Sequence, residues 1–302
     1  MCREFVNFII DIIKLYNELG IYVKKCFYKY RPLADEADSE SVHRRVKDIL
    51  QEGKLYFPCP KDFNDPFDGV IEYDETVTPE DIRPLGIRIG VEPKQLQNLI
   101  DIYKRNPDKF YDIVRQQNVK FQNDNKLRIL CLSDTELNPL LWAHYAAQHT
   151  GVCIGFRTYK LDDKAYGIKL KTGCIDSRLL DPYFPDMIIP FPVEYTEEVP
   201  HKYHFGIGNA EDLKKSFLCK SVEWAYEKEV RVVATDSTLI RNPVEIDVNE
   251  IEEIIFGIRA SSKLIEQVKD IVSQKPYVLP GPKLYQCQRI SGTYRLEKKP
   301  LE

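Results

Sequence analysis

The stretch from Ile129 to Phe156 constrains the fold more than any other part of the chain. It reads ILCLSDTELNPLLWAHYAAQHTGVCIGF. The apolar run Leu127–Leu132 predicts a buried strand, and Val152–Phe156 predicts a second one. Between them, Leu140–Gln148 predicts a short helix that ends before Gly151. A strand, a helix and a strand in so little sequence must pack closely against one another.

The rest of the chain mixes short strands with helices, which predicts an α+β fold with mixed or antiparallel sheets and an inserted helical segment. Residues 1–24 predict an amphipathic helix, and residues 25–302 predict a single domain. The helix-rich residues at about 79–124 are the predicted insertion. A further helix is predicted over Ala210–Trp224.

Charge and cysteine usage narrow the class of protein. The net charge of -4 gives no overall basic field, which argues against non-specific binding of nucleic acid. The eight cysteines are scattered without a C-x-x-C pair, as is typical of reduced thiols in a cytoplasmic protein. Asp11 and Lys14 interrupt the apolar N-terminal run, so no membrane span is predicted.

The predicted helix Leu140–Gln148 carries an unusual set of aromatic and histidine side chains. Trp142 and Tyr145 are three positions apart and share a face, whereas His144 faces the same way as Gln148. Two interpretations are open. The aromatic residues belong to the core while His144 bonds a neighbouring loop, or the group lines a site.

Metal and thiol chemistry are the alternatives for the same region. His144, His149 and Cys153, with Cys131, are residue types that bind zinc, but their spacing matches no common zinc pattern. We therefore predict no metal site. A cysteine–histidine nucleophile is also possible in principle, yet both cysteines fall within predicted strands, where a thiol is typically inert core.

A second polar group follows the aromatic segment at residues 224–226. Glu227, Glu229 and Arg231 alternate along what the sequence predicts to be one strand, so they project to the same side. Burying them is costly unless they are paired. They form either a solvent-facing edge with a salt bridge at Arg231, or a site. In a site, one carboxylate would stabilise developing positive charge and the other would position a nucleophile.

Three widespread motifs are missing from the sequence. It contains no G-x-G-x-x-G fingerprint, no phosphate loop of the NTP-hydrolysing type and no G-x-S-x-G elbow. Doubly wound dinucleotide binding, NTP hydrolysis and serine-hydrolase chemistry are therefore not predicted.

The chain resembles a bacterial family catalogued as domain of unknown function 2971. The resemblance extends from about Tyr28 to the C-terminus. It is carried by the blocks GKLYFPCPKDFNDPFD, LLWAHYAAQHTGVCIGF and KSVEWAYEKEVRVV. The block around Trp142 and His149 is quite specific, whereas residues 1–25 and 79–124 carry little of the resemblance. The family name implies no settled activity.

The chain is also similar to the layout of ADP-ribosyltransferases. The shared features are an aromatic and basic first strand, a helix ending ILQEGKL and a late E-x-E on a strand; the middle S-T-S motif is absent beyond Leu132-Ser133. This resemblance implies that Arg31 or Tyr30 holds NAD and that Tyr145 stacks on nicotinamide. It also implies that Glu229 stabilises an oxocarbenium-like transition state while Glu227 orients the acceptor. The predicted site residues are Glu229, Glu227 and His144 for catalysis and Tyr30, Arg31, Ser133, Trp142, Tyr145 and Arg231 for binding NAD.

Three functions are therefore open. The first is an NAD-consuming ADP-ribosyltransferase-like enzyme of bacterial defence or toxicity, with NAD or a related nucleotide as partner and no particular macromolecular acceptor or oligomeric state predicted. The second is a non-catalytic domain that senses a ligand or binds a protein. The third is a metal-dependent nuclease, in which Asp65 and Asp68 would have to converge with Glu227 and Glu229.

Overall fold

A computed structural model describes residues 26–68, 78, 83–84, 92–113, 116, 127–161, 166–174, 186–199, 217–236, 239–274 and 281–301. The predicted N-terminal helix at 1–24 lies outside these residues, as does part of the predicted insertion at 79–124. Inside that insertion, Pro93–Arg105 is an α-helix and residues 107–113 are also helical. The domain boundaries stay a prediction.

Helices and short strands are mixed along the chain. The α-helices are α1 (Arg44–Glu52), α2 (Pro93–Arg105), α3 (Pro139–Tyr145) and α4 (Ser262–Ser273). The strands are β1 (Cys26–Arg31), β2 (Lys54–Leu55), β3 (Leu127–Ser133), β4 (Val152–Arg157), β5 (Tyr159–Lys160), β6 (Tyr166–Lys169), β7 (Met187–Ile188), β8 (Phe191–Pro192), β9 (Glu194–Thr196), β10 (Cys219–Ser221), β11 (Glu229–Thr235), β12 (Val244–Glu245), β13 (Ile251–Phe256), β14 (Lys283–Arg289) and β15 (Leu296–Pro300).

An eight-stranded sheet organises these elements in the order β15-β14-β13-β4-β1-β3-β11-β8. Its neighbouring strands are antiparallel except for the parallel pair β13–β14. Smaller sheets pair β9 with β10, β2 with β12, and β6 with both β5 and β7. The predicted α+β class with mixed sheets is confirmed.

One side of the large sheet, the helix face, is covered by α1 and α4. Side chains from both helices pack there against alternate residues of the central strands, such as Phe27, Leu130 and Ile154. In α1 the buried residues are Val46, Ile49 and Leu50, one stripe of an amphipathic helix. This face holds the larger apolar core.

The opposite side, the site face, carries the residues between those positions. Tyr28 of β1, Ser133 of β3 and Glu229 of β11 lie directly opposite one another across the strands, so their side chains leave the sheet on the same side. Helix α3 covers part of this face. Its Trp142 is fully buried and meets Tyr30 edge to face, with ring centroids 5.2 Å apart.

Two helix predictions are wrong in part. The helix predicted over Leu140–Gln148 ends at Tyr145, and residues 147–149 have positive φ angles of 45–70°. Of the helix predicted over Ala210–Trp224, the described part is helical at 217–218 and then becomes β10 and the 3₁₀ helix Val222–Glu227. None of the described helices is both long and apolar enough to cross a membrane.

Candidate functional site

Five charged side chains meet on the site face, and we call them the charged cluster: Asp68, Lys220, Glu227, Glu229 and Arg231. Each of these side chains is at most 8% exposed. Three carboxylates face two cations, so the cluster has an excess of one negative charge when all five groups are ionised. Burying a charged group has a large desolvation cost unless the group is paired. The pairing within the cluster therefore decides which of these groups can react.

Arg231 and Glu229 form its fixed half. They are two positions apart on β11, and Arg231 Nε and Nη2 donate to the two carboxylate oxygens of Glu229, each at 2.9 Å. Arg231 also binds Asp68 Oδ2 at 2.5 Å and the carbonyl of Phe217 at 3.0 Å. Burial alone would raise the pKa of Glu229, but Arg231 and Lys220 lower it to about 2. Glu229 is therefore ionised at neutral pH.

Glu227 belongs to the other half of the cluster and differs from Glu229 in its partners and in the direction of its pKa shift. Lys220 Nζ donates to Glu227 Oε2 at 2.6 Å, and the hydroxyl of Tyr145 donates to Oε1 at 2.6 Å. Burial raises the pKa of this carboxyl, and Lys220 offsets only part of that effect. The prediction that Glu227 shares a strand face with Glu229 and Arg231 is wrong, since Glu227 ends the 3₁₀ helix before β11 begins.

Lys220 links the two halves. It lies on β10, where its partner across the strands is Tyr195 of β9. Its ammonium is 2.6 Å from Glu227, 3.4 Å from Glu229 and 3.6 Å from Asp68. Burial would lower its pKa, but Glu229 and Glu227 raise it above the ordinary value, so Lys220 stays charged.

The turn at residues 226–228 is held by a group of donors that we call the carbonyl clamp: Ser133, Asp134 and Asn138. Asn138 Nδ2 donates to the carbonyl of Tyr226 at 2.8 Å, Ser133 Oγ to that of Glu227 at 2.6 Å, and Asp134 N to that of Lys228 at 3.0 Å. Asn138 also caps α3 through Leu140 N. The clamp therefore fixes Glu227 relative to the helix that carries Tyr145.

Three rings form an aromatic rim beside Glu227: His144, Trp224 and Tyr226. Their centroids are 5.9–6.2 Å apart in every pair. The ring of Trp224 also lies 4.7 Å from the ammonium of Lys220, and Tyr145 is 6.4 Å from His144. His144 is exposed and the other two rings are half-buried. The rim is thus the part of the site that solvent reaches.

The structure brings together most of the residues that the sequence singled out. Ser133, Tyr145, Glu227, Glu229 and Arg231 share the site face, with His144 at the rim. The interpretation of Glu229 and Arg231 as a solvent-facing edge is wrong, because Arg231 is fully buried although the predicted salt bridge exists.

Three predicted site residues lie elsewhere. Trp142 and Tyr30 belong to the core beneath α3: Trp142 Nε1 donates to Glu136 O and the Tyr30 hydroxyl to Thr135 O, each at 2.9 Å. Arg31 alternates with Tyr30 along β1, so it leaves the sheet on the helix face, away from Glu229.

Sequence reasoning missed the roles of Lys220 and Asp68. Lys220 sat in a predicted helix, although a lone lysine after the apolar run FLC was a signal of a paired buried charge. The sequence offered Asp68 as a metal ligand of a nuclease. Its carboxylate instead pairs with Arg231, whereas Asp65 Oδ1 accepts from Phe67 N within the turn at 2.9 Å.

This geometry supports neither a nucleophilic cysteine nor a zinc site among the described residues. Burial raises the pKa of the Cys131 and Cys153 thiols, which disfavours the nucleophilic thiolate. Within the part of the chain that the structure describes, no group of three or more His, Cys, Asp or Glu residues is arranged to hold a metal ion.

Comparison with known proteins identifies a family for much of this site. Residues 141–232 match a family model described as "Protein of unknown function (DUF2971)", which confirms the first resemblance for that segment. The segment contains Tyr145, Lys220 and Arg231, whereas Asp68 and Ser133 precede it. No curated protein and no solved structure matches the chain.

Proposed function

Taking as premise that residues 141–232 are a segment of the DUF2971 family, we propose that the chain is an NAD-consuming enzyme with ADP-ribosyltransferase-like chemistry. The reaction is cleavage of the bond between the ribose and the nicotinamide ring. Loss of NAD harms a cell, which suits a cytoplasmic role in bacterial toxicity or phage defence.

The aromatic rim and the charge of the cluster support this choice of ligand. The nicotinamide of NAD is a flat ring with a positive charge. Aromatic faces such as those of Trp224 and Tyr226 attract flat cations, and the excess negative charge beneath them acts in the same direction. His144 completes the rim and can donate a hydrogen bond to the ring's amide.

The observation that carries the proposal is the state of Glu227. It is a buried carboxyl with a raised pKa, directly beside the rim and fixed by Tyr145 and Lys220. When the carbon–nitrogen bond breaks, its electron pair goes to the ring nitrogen and neutralises it, while positive charge develops on the ribose carbon. The Glu227 carboxylate stabilises that charge and then takes the proton of the attacking water or acceptor hydroxyl.

The same geometry changes the roles that the sequence suggested. We assign the catalytic role to Glu227 and a positioning role to Glu229, because both oxygens of Glu229 are already occupied by Arg231. The Tyr145 hydroxyl holds Glu227 toward the rim.

The test is NAD loss and nicotinamide release by the purified protein. We expect Glu227→Gln to lower the rate by a factor of about 100 or more, since it removes both the negative charge and the base. Glu223→Gln is the matched control, because Glu223 lies in the first turn of the same 3₁₀ helix, is exposed, and loses the same charge. Unchanged turnover by a folded Glu227→Gln protein would reject the proposal.

A second candidate is a non-catalytic, ligand-sensing domain that uses the same site. It is favoured by the fact that both oxygens of Glu227 already have protein partners. It predicts that NAD or nicotinamide raises the melting temperature of the wild type while no nicotinamide is released. Turnover in the first assay decides between the two.

A further inference from the structure

The helix face of β1 carries two basic side chains, Lys29 and Arg31, that form no ion pair among the described residues, although Glu229 attracts Lys29 electrostatically. Lys29 and Arg31 point to this face, and Arg45 near the start of α1 lies close enough to act on both electrostatically. Strands β1 and β3 pair antiparallel at Tyr28 and Ser133, and among the described residues this pairing does not continue toward Arg31. Lys29 Nζ donates to the free carbonyl of Cys131 there, at 2.5 Å.

The Nε atom of Arg31 is buried and has no hydrogen-bond acceptor among the residues that the structure describes. Among the described residues no carboxylate forms an ion pair with Lys29, Arg31 or Arg45. Native proteins rarely leave such a group unsatisfied without a ligand or an ordered water in its place.

The electrostatics agree with this geometry. Burial, followed by repulsion from Arg45, lowers the pKa of Arg31 to about 10. Burial, followed by repulsion from Arg31, lowers the pKa of Lys29 to about 8. Both shifts disfavour the empty state and favour a bound anion.

We propose that Lys29, Arg31 and Arg45 form a binding site for a phosphate-type oxyanion on the helix face of the sheet. The guanidinium of Arg31 supplies a planar pair of donors, and Lys29 supplies a compact charge. Arg45 is exposed and Arg31 is half-buried, so the anion can enter from solvent. The phosphate can be free or part of a nucleotide.

The test is thermal unfolding of the full chain in a buffer without phosphate or sulfate, with sodium chloride holding the ionic strength constant. We expect inorganic phosphate to raise the melting temperature of the wild type. For Arg31→Met the apparent affinity for phosphate should fall at least about tenfold. Its melting temperature without phosphate should stay the same or rise, since an unpaired buried charge has been removed.

Arg44→Met is the matched control, because the side chain of Arg44 is 87% exposed and pairs only loosely with Asp48, at 3.9 Å. It should keep the response to phosphate. Arg31→Lys keeps the charge but not the planar donors, and should bind phosphate more weakly while remaining folded. ADP as a further probe distinguishes the sources: a larger shift than with phosphate that Arg31→Met abolishes indicates a nucleotide at this site.

Three results would each overturn the inference. They are a wild type that responds to phosphate no more than to chloride, an Arg31→Met protein that keeps the response, and an Arg31→Met protein that melts earlier in the anion-free buffer. The last would show that Arg31 stabilises the fold by itself. The proposed NAD chemistry depends on the other face and is not affected by any of these outcomes.

Discussion

At the scale of single residues, Glu227 and Glu229 are two carboxyls of one cluster with opposite shifts. Arg231 donates a hydrogen bond to each oxygen of Glu229, so the ionised form of Glu229 is favoured in the folded state. Glu227 has one lysine partner and one tyrosine partner, and these offset only part of the effect of burial on its pKa. Two neighbouring carboxyls with separated pKa values are the arrangement that acid–base sites use.

Those shifts predict opposite dependences of stability on pH. The pKa of Glu229 falls from 4.5 to about 2, so its contribution is present above 4.5 and is lost as the pH falls toward 2. The pKa of Glu227 is raised, so its contribution is full below 4.5 and is lost as the pH rises through the raised value. We therefore expect the destabilisation caused by Glu229→Gln to grow by roughly 3 kcal/mol between pH 2 and pH 6.

Glu227→Gln should show the reverse trend, with the larger loss of stability at low pH. Urea unfolding at a series of pH values measures both trends. Equal trends for the two variants would mean that Arg231 does not separate the two carboxyls as the distances indicate.

The sequence predicted which residues form this site better than it predicted their burial and ionisation. The i, i+2 spacing predicted that Glu229 and Arg231 share a face, because strand geometry is local. Their burial depends on Asp68, Phe217 and Lys220, which arrive from distant segments, and no local pattern contains that information.

At the scale of elements, the turn after α3 stores backbone strain. Ala147, Gln148 and His149 have φ angles of 45°, 51° and 70°, a left-handed conformation that is unfavourable for residues with a side chain. Arg259 N donates to the carbonyl of His149 at 3.0 Å, and a Cβ at Gly257 would come within 2.1 Å of that same oxygen. The helix prediction therefore ran too far because contacts with the 257–259 segment override the helical propensity of AAQH.

This strain can be tested at Gln148, whose side chain is exposed. Gln148→Gly should stabilise the fold by up to about 1 kcal/mol, since glycine adopts positive φ without a steric penalty that exceeds its entropic cost. Gln148→Val should destabilise it by about 1 kcal/mol or more, because a β-branched residue tolerates this region poorly. Urea unfolding of both variants provides the measurement; a more stable valine variant would contradict the left-handed assignment.

At the scale of the whole molecule, the large sheet separates two cores. Helices α1 and α4 pack on the helix face, while α3 and the core residues around Trp142 pack on the site face. The alternation of apolar residues in single strands made the α+β class predictable. The strand order could not be predicted, since β1 lies between β3 and β4 through pairings more than a hundred residues apart in the chain.

Because the sheet separates the two cores, we expect substitutions on its two faces to lower the free energy of unfolding additively. Leu264→Ala on α4 and Leu141→Ala on α3 each remove a buried side chain and should each cost about 2–5 kcal/mol. The double variant should lose the sum to within about 0.5 kcal/mol, because the two sites share no partners. A coupling above about 1 kcal/mol in chemical unfolding would show that the two cores are mechanically linked across the sheet.

The carbonyl clamp has a consequence for how such a protein can diversify. Its donors grip only main-chain oxygens of Tyr226, Glu227 and Lys228, so the shape of that turn does not depend on which side chains project from it. Natural variation could exchange the ring at position 226 and so retune what the surface recognises, while the scaffold underneath keeps its form.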